Sequence, residues 1–123
     1  MSDTEDATRP PASFNFALDV VEARAREAPG ARALIAVGAN GQAQYWTYGD
    51  IASAVRRLTA ALAGCGLAQG ERVLVLLPRI PAWHIAMAAC MRLGLIPVPC
   101  VSQLTAAEVA YRARCSGARG AIT

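Results

Sequence analysis

The sequence predicts an α/β fold: an N-terminal helix and β-hairpin followed by a βαβαβ parallel-sheet unit, in all an incomplete three-layer sandwich. Three observations predict it. Apolar residues recur at helical spacing in several separate stretches. From Glu71 onward, short apolar runs alternate with those stretches, the order that builds parallel sheets through right-handed crossovers. Finally, Gly120-Ala121-Ile122-Thr123 reads as the opening of a further buried strand, and such an edge needs a neighbour or a cover. The expectation is a piece of something larger.

Residues 1–13 read as a disordered lead-in, acidic at Asp3, Glu5 and Asp6, with no apolar stretch behind basic residues and hence no secretory signal. Residues 14–123 read as one structured unit. From Phe14 to Glu27, Leu18, Val21 and Ala25 mark the inner face of an amphipathic helix, with Asp19, Glu22, Arg24 and Arg26 outside, and Pro29-Gly30 stops it. Ala33 to Val37 and Gln42 to Trp46 predict a hairpin, with Asn40-Gly41 as the two positive-φ residues of a type I′ turn.

Thr47 with Asp50 has the spacing of a capping box, and Tyr48, Ile51, Val55, Leu58, Leu62 and Cys65 then form one buried helical stripe. Gly66 ends that helix. Val73 to Leu77 is continuously apolar, as a strand covered on both faces requires, and Pro78 closes it. Pro81 suits a first helical position, and the nearly uncharged run Ala82 to Leu93 predicts an enclosed helix stopped by Gly94. In Leu95 to Pro99 the two prolines cannot donate to a ladder, so this strand belongs at an edge or a bulge. A loop, Cys100 to Leu104, leads to a second capping box, Thr105 with Glu108, and to a helix with Val109, Ala110 and Ala113 inside.

Composition narrows the function classes. The chain is 54% hydrophobic and 17% charged, with a mean hydropathy of +0.31, against about a quarter charged in an average soluble domain. The excess apolar surface calls for a partner or for more chain. Pro78, Pro81, Pro97 and Pro99 interrupt the most apolar region, so no membrane span is expected. The net charge of +3 is dispersed, which argues against nucleic acid. All 12 basic residues are arginine. Without lysine there is no P-loop and no Schiff-base chemistry.

Candidate chemical groups each have a plainer structural reading beside them. Cys65, Cys90, Cys100 and Cys115 are too widely separated for a zinc site and read as buried thiols in a reducing cytoplasm, with disulfides as the alternative. Gly64 to Gly70 is rich in glycine but follows a helix and precedes a strand, the reverse of a dinucleotide-binding loop. His84 has no acidic residue near it in sequence and, with Trp83, reads as packing. Asp50 and Glu108 read as caps, and Ser102 lacks a nucleophile elbow. No catalytic residue and no metal ligand can be assembled from this chain.

Three segments in order, Trp46-Thr47-Tyr48-Gly49-Asp50-Ile51, then Gly70-Glu71-Arg72 through Pro78-Arg79-Ile80-Pro81-Ala82-Trp83, then Met91-Arg92-Leu93-Gly94 through Pro99, resemble the start of an adenylate-forming enzyme of the acyl-CoA synthetase, luciferase and peptide-synthetase superfamily. Pro78 to Trp83 and Gln103 to Arg112 resemble the medium-chain acyl-CoA synthetase branch most.

The resemblance implies that residues 14–123 are the first part of a large N-terminal domain. The whole enzyme would use ATP, Mg2+ and coenzyme A to convert a fatty or aromatic carboxylic acid, through an acyl-adenylate, into its thioester. It also implies that Ser102 and Gln103 lie in a loop near where coenzyme A enters, though a plain connecting loop is the simpler reading of those residues. The family's lysine-bearing phosphate loop and its catalytic lysine have no counterpart here, so this chain alone is expected to be inactive, to hold none of these cofactors and to lack a well-packed monomeric core. Its expected partner is the remainder of the enzyme, in cis or in trans. Two alternatives remain: a non-catalytic module or split-enzyme subunit that completes its sheet with a partner, and a small stand-alone domain binding a nucleotide or acyl group.

Overall fold

A computed structural model describes residues 10–123; the acidic part of the expected lead-in, residues 1–9, lies outside the described residues. The N-terminal helix is π-helical over Phe16–Glu22 and continues as α1, Ala23–Glu27. Asn15 caps it, its side-chain oxygen accepting from the Ala17 and Leu18 amides, while its Nδ2 donates to the Met91 carbonyl at 2.9 Å. Wider winding changes which residues face inward. Ala17, Val21 and Glu22 are buried and Leu18 is exposed, whereas an α-helical period had placed Leu18 inside and Glu22 outside.

Strands β1, Arg32–Val37, and β2, Ala43–Thr47, form the expected antiparallel hairpin. Its turn differs from the sequence reading. Only Gly41 has positive φ, at +76°, and the loop closes through Gly38 N–H to Gln42 C=O at 2.9 Å, a three-residue connection with glycine in the left-handed position. The Asn40 side chain accepts from the Gln42 amide at 3.1 Å, and Asn40 itself is not in the left-handed region.

Helix α2, Tyr48–Gly64, begins with the capping box: Thr47 Oγ1 accepts from Asp50 N–H at 3.1 Å and Asp50 Oδ2 from Thr47 N–H at 2.9 Å. The same reciprocal pair, Thr105 with Glu108, opens α4, Ala106–Ser116. Those hydrogen bonds hold both carboxyls below their ordinary values. A depressed folded-state value means that the caps stabilise the folded chain above the ordinary carboxylate range and lose that contribution as pH falls through the folded values. The expected result is an acid loss of helicity beginning below about pH 4. Thr47→Ala should cost about 1 kcal/mol at neutral pH and flatten the acid limb, read by circular dichroism in urea.

A second sheet holds β3, Arg72–Val75, between β4, Ile96–Pro99, and β5, Gly120–Ile122, all parallel. Helix α3, Pro81–Leu93, connects β3 to β4 and ends at Gly94, whose φ of +73° is left-handed. A Cβ there would lie 2.8 Å from Gln69 Cγ, so both conformation and space favour glycine. The strand order makes the two crossovers run in opposite directions. With the right-handedness general to such connections, α3 and α4 leave by opposite faces.

As expected, the proline strand is an edge. Ile96 N–H donates to Glu71 C=O and Cys100 N–H to Val75 C=O, so alternation turns positions 97 and 99 outward, and both are proline. The outer edge of β4 therefore offers no strand N–H. On the other side Leu76 N–H donates to Ile122 C=O, which turns the Ala121 amide and carbonyl toward the open edge.

The core lies on the α2 and α3 side of the sheet. Ile51, Ala52, Val55 and Leu62 of α2 meet Ile85, Ala88, Ala89 and Cys90 of α3 over Val73. Small residues let these helices approach closely. On the other sheet face α4 buries no residue fully. Where the π-helical segment meets α1, the Glu22 carboxylate accepts from Arg56 Nη1 at 2.8 Å and from Arg92 Nη1 at 2.9 Å, joining three helical segments. No helix among the described residues is long and apolar enough to cross a membrane.

Candidate functional site

Parallel strands present their carboxyl ends on one side of a sheet. Where two neighbouring strands send their connections to opposite faces, a crevice opens between those ends. In this fold the neighbours are β3 and β4. A cleft of about 690 Å³ lies there. One wall is Leu77, Pro78 and Arg79, the loop that leaves β3, and the other is Pro99 to Gln103, the loop that leaves β4. The first turn of α3 forms its floor through Trp83 and His84.

Each wall is fixed by its backbone. Pro78 breaks β3, and Ile80 N–H donates back to Pro78 C=O at 2.8 Å, turning Arg79 out of the sheet just before Pro81 starts α3. On the facing wall, Cys100 N–H holds Val75 C=O at 2.9 Å and its thiol donates to Val98 C=O at 3.5 Å. The chain then leaves the sheet through exposed Val101, Ser102 and Gln103 until Thr105 caps α4.

Ser102 and Gln103 thus share one cleft with Trp83 and His84, which sequence reasoning had left as packing. Trp83 is half-buried and stands edge-on to the exposed His84 ring, with centroids 5.1 Å apart and an interplanar angle of 84°. Arg79 was missed. The signal that could have found it is topological, since it occupies the loop after one parallel strand as Ser102 and Gln103 occupy the loop after the next.

Among the described residues no carboxylate lines the cleft, so none of them serves there as an acidic orienter for His84. Asp50 and Glu108 are at their helix starts, away from these walls. No group of three or more His, Cys, Asp or Glu able to hold a metal ion occurs among the described residues. The arrangement can bind and orient through an amide, a hydroxyl, a guanidinium and an aromatic face. It contains no assembled acid, base or nucleophile.

The four cysteines are free thiols, as expected, but not all are buried. Cys90 lies in the core, where burial raises its pKa, Cys100 is half-buried, and Cys65 and Cys115 are exposed. The reason is local. Cys65 is the C-terminal cap of α2, beyond its buried stripe, and Cys115 lies in the last turn of thinly covered α4.

Comparison with known proteins bears on most of the chain. The family profile described as AMP-binding enzyme matches residues 21–123. The acyl-coenzyme A synthetase ACSM5 of Mus musculus, named as mitochondrial, is 37% identical over 119 residues, covering 92% of this chain and 21% of that protein. The human ACSM4 synthetase, also named as mitochondrial, is 38% identical over 115 residues, covering 89% and 20%. Among solved structures, a benzoate CoA ligase from Burkholderia xenovorans LB400 superposes with a TM-score of 0.77 at 28% identity, over 90% of this chain and 22% of that one. A fatty acyl CoA synthetase from Mycobacterium tuberculosis gives 0.75 at 25% identity, over 87% and 20%. The chain spans about one fifth of the length of these relatives.

Proposed function

The chain belongs to the family of AMP-binding enzymes, and from that premise we propose that it forms the first part of the large domain of an acid–CoA ligase acting on a fatty or aromatic carboxylic acid. The complete enzyme would join ATP and the acid into an acyl-adenylate, releasing pyrophosphate, and the thiol of coenzyme A would then displace AMP. One observation carries the role of this segment: the cleft at the carboxyl ends of β3 and β4 brings Ser102 and Gln103 opposite the loop after β3. A side-chain amide and a hydroxyl, each able to donate and accept, suit the amide-rich arm of coenzyme A. In this reading Gln103 and Ser102 position that arm, and the aromatic edge of Trp83 excludes water from one side.

The same residues do not fit the other ligands. Phosphates of ATP call for a glycine-rich loop that follows a strand and for its lysine, and Mg2+ calls for oxygen ligands from carboxylates; the cleft offers neither. Those functions fall to the rest of the enzyme. No step of adenylation is assigned to this segment, and the isolated chain should show only background ATP–pyrophosphate exchange. We place the protein in the cytoplasm, with fractionation of the native protein as the check.

Two measurements test the reading. The native transcript beyond codon 123 should continue into a Ser/Thr/Gly-rich loop bearing lysine. A stop codon there would favour the split-subunit alternative, to which the open β5 edge also lends itself. In the complete enzyme, Gln103→Ala should raise KM for coenzyme A about tenfold, the worth of about 1.4 kcal/mol, and leave pyrophosphate exchange unchanged. Equal loss in both half-reactions would contradict the assignment.

A further inference from the structure

We propose that Arg79 recognises the phosphate-bearing end of coenzyme A, while Ser102 and Gln103 hold its amide arm; the inference rests on the acid–CoA ligase reading above. Four observations lead to it. Arg79 is exposed on the wall of the cleft and carries the one permanent charge among the side chains that line it. It is uncompensated: the arginines in ion pairs among the described residues are Arg24, Arg56, Arg92 and Arg119. The sequence has no Asp or Glu between Glu71 and Glu108, so neither connection bordering the cleft brings a negative charge to it. The first turn of α3, where Trp83 and His84 line the same cleft, turns the positive end of that helix toward it.

The Arg79 guanidinium is in no ion pair among the described residues, and the backbone that carries it is restricted by Pro78 and Pro81. A planar fork of donors in a positive field is suited to a phosphate ester, with two parallel hydrogen bonds. Neutral hydrogen-bonding groups stand on the opposite wall. A ligand that spans the cleft should therefore be anionic at one end and amide-like at the other. Coenzyme A has that layout, and the acyl substrate does not.

The test uses the complete enzyme with three thiol acceptors: coenzyme A, dephospho-coenzyme A and pantetheine, which has no phosphate. With coenzyme A, Arg79→Ala should raise KM about tenfold and Arg79→Lys should recover part of the loss. With pantetheine, wild type and Arg79→Ala should be indistinguishable. Dephospho-coenzyme A locates the contact: a persisting penalty assigns it to the pyrophosphate, and a vanished one to the ribose phosphate. An equal penalty with all three acceptors, or a rise confined to the KM for ATP, would overturn the proposal. Absence of thiol-dependent turnover in the wild type would instead overturn the ligase reading. Unfolding is not expected to confuse the result, since Arg79 makes no ion pair among the described residues; an unchanged thermal transition of the variant checks this.

Discussion

Glu22→Ala is expected to cost the folded chain roughly 2 to 3 kcal/mol, read as a fall in the urea midpoint or, if the transition is broad, as faster hydrogen exchange in α2 and α3. Glu22 has 10% of its side chain exposed and lies between Arg56 and Arg92, which are 51% and 26% exposed. Removing the carboxylate leaves two guanidinium groups facing each other, one of them largely desolvated. The two pairs should not be equal. The more exposed Arg56 is better screened by water and salt, so a double-mutant cycle should give a larger coupling of Glu22 to Arg92 than to Arg56. Coupling energies near zero for both would show the cluster to be ornamental. Glu22→Gln keeps the size of the side chain and should recover a minority of the loss.

Leu62→Ala is expected to cost about 3 kcal/mol, within the range for deleting a leucine side chain from a core. Leu62 is 7% exposed, belongs to the cluster formed by α2, α3 and β3, and precedes the turn in which Leu67 N–H donates back to its carbonyl. The cluster is rich in alanine, at Ala52, Ala88 and Ala89, and such short side chains have few atoms with which to fill a vacancy. Leu18→Ala, at a position 42% exposed, is the control and should change stability by less than about 0.5 kcal/mol. Equal effects at the two positions would mean that the described core is not the one that holds the chain together.

The contrast between these residues shows what could be read in advance. Ile51, Val55 and Leu62 fell on the buried side of α2 because an α-helix repeats faithfully, and the capping boxes at Thr47 and Thr105 were visible because both partners lie within one turn. Pro97 and Pro99 narrowed β4 to an edge or a bulge, and the strand order makes it an edge. Leu18 and Glu22 were misplaced because their segment winds more widely, and nothing local in Phe16–Glu22 distinguishes it from an ordinary amphipathic helix. Glu22 is buried by partners from two other helices, a pairing with no local trace in the sequence. The cleft was hidden for the same reason. Ser102 and Gln103 were singled out by resemblance, whereas Arg79 joins them only once β3 and β4 are known to be neighbours.

Because Pro97 and Pro99 occupy the outward positions of β4, the parallel sheet resembles a polymer with one end capped and the other live. The edge beyond β5 offers both donors and acceptors to a new strand and the edge beyond β4 offers acceptors alone, so growth has a favoured direction. That polarity sorts productive assembly from accidental assembly. A strand arriving at the capped end meets carbonyls without strand donors, while one arriving past Ala121 finds both, so pairing of two copies through their β4 edges is disfavoured.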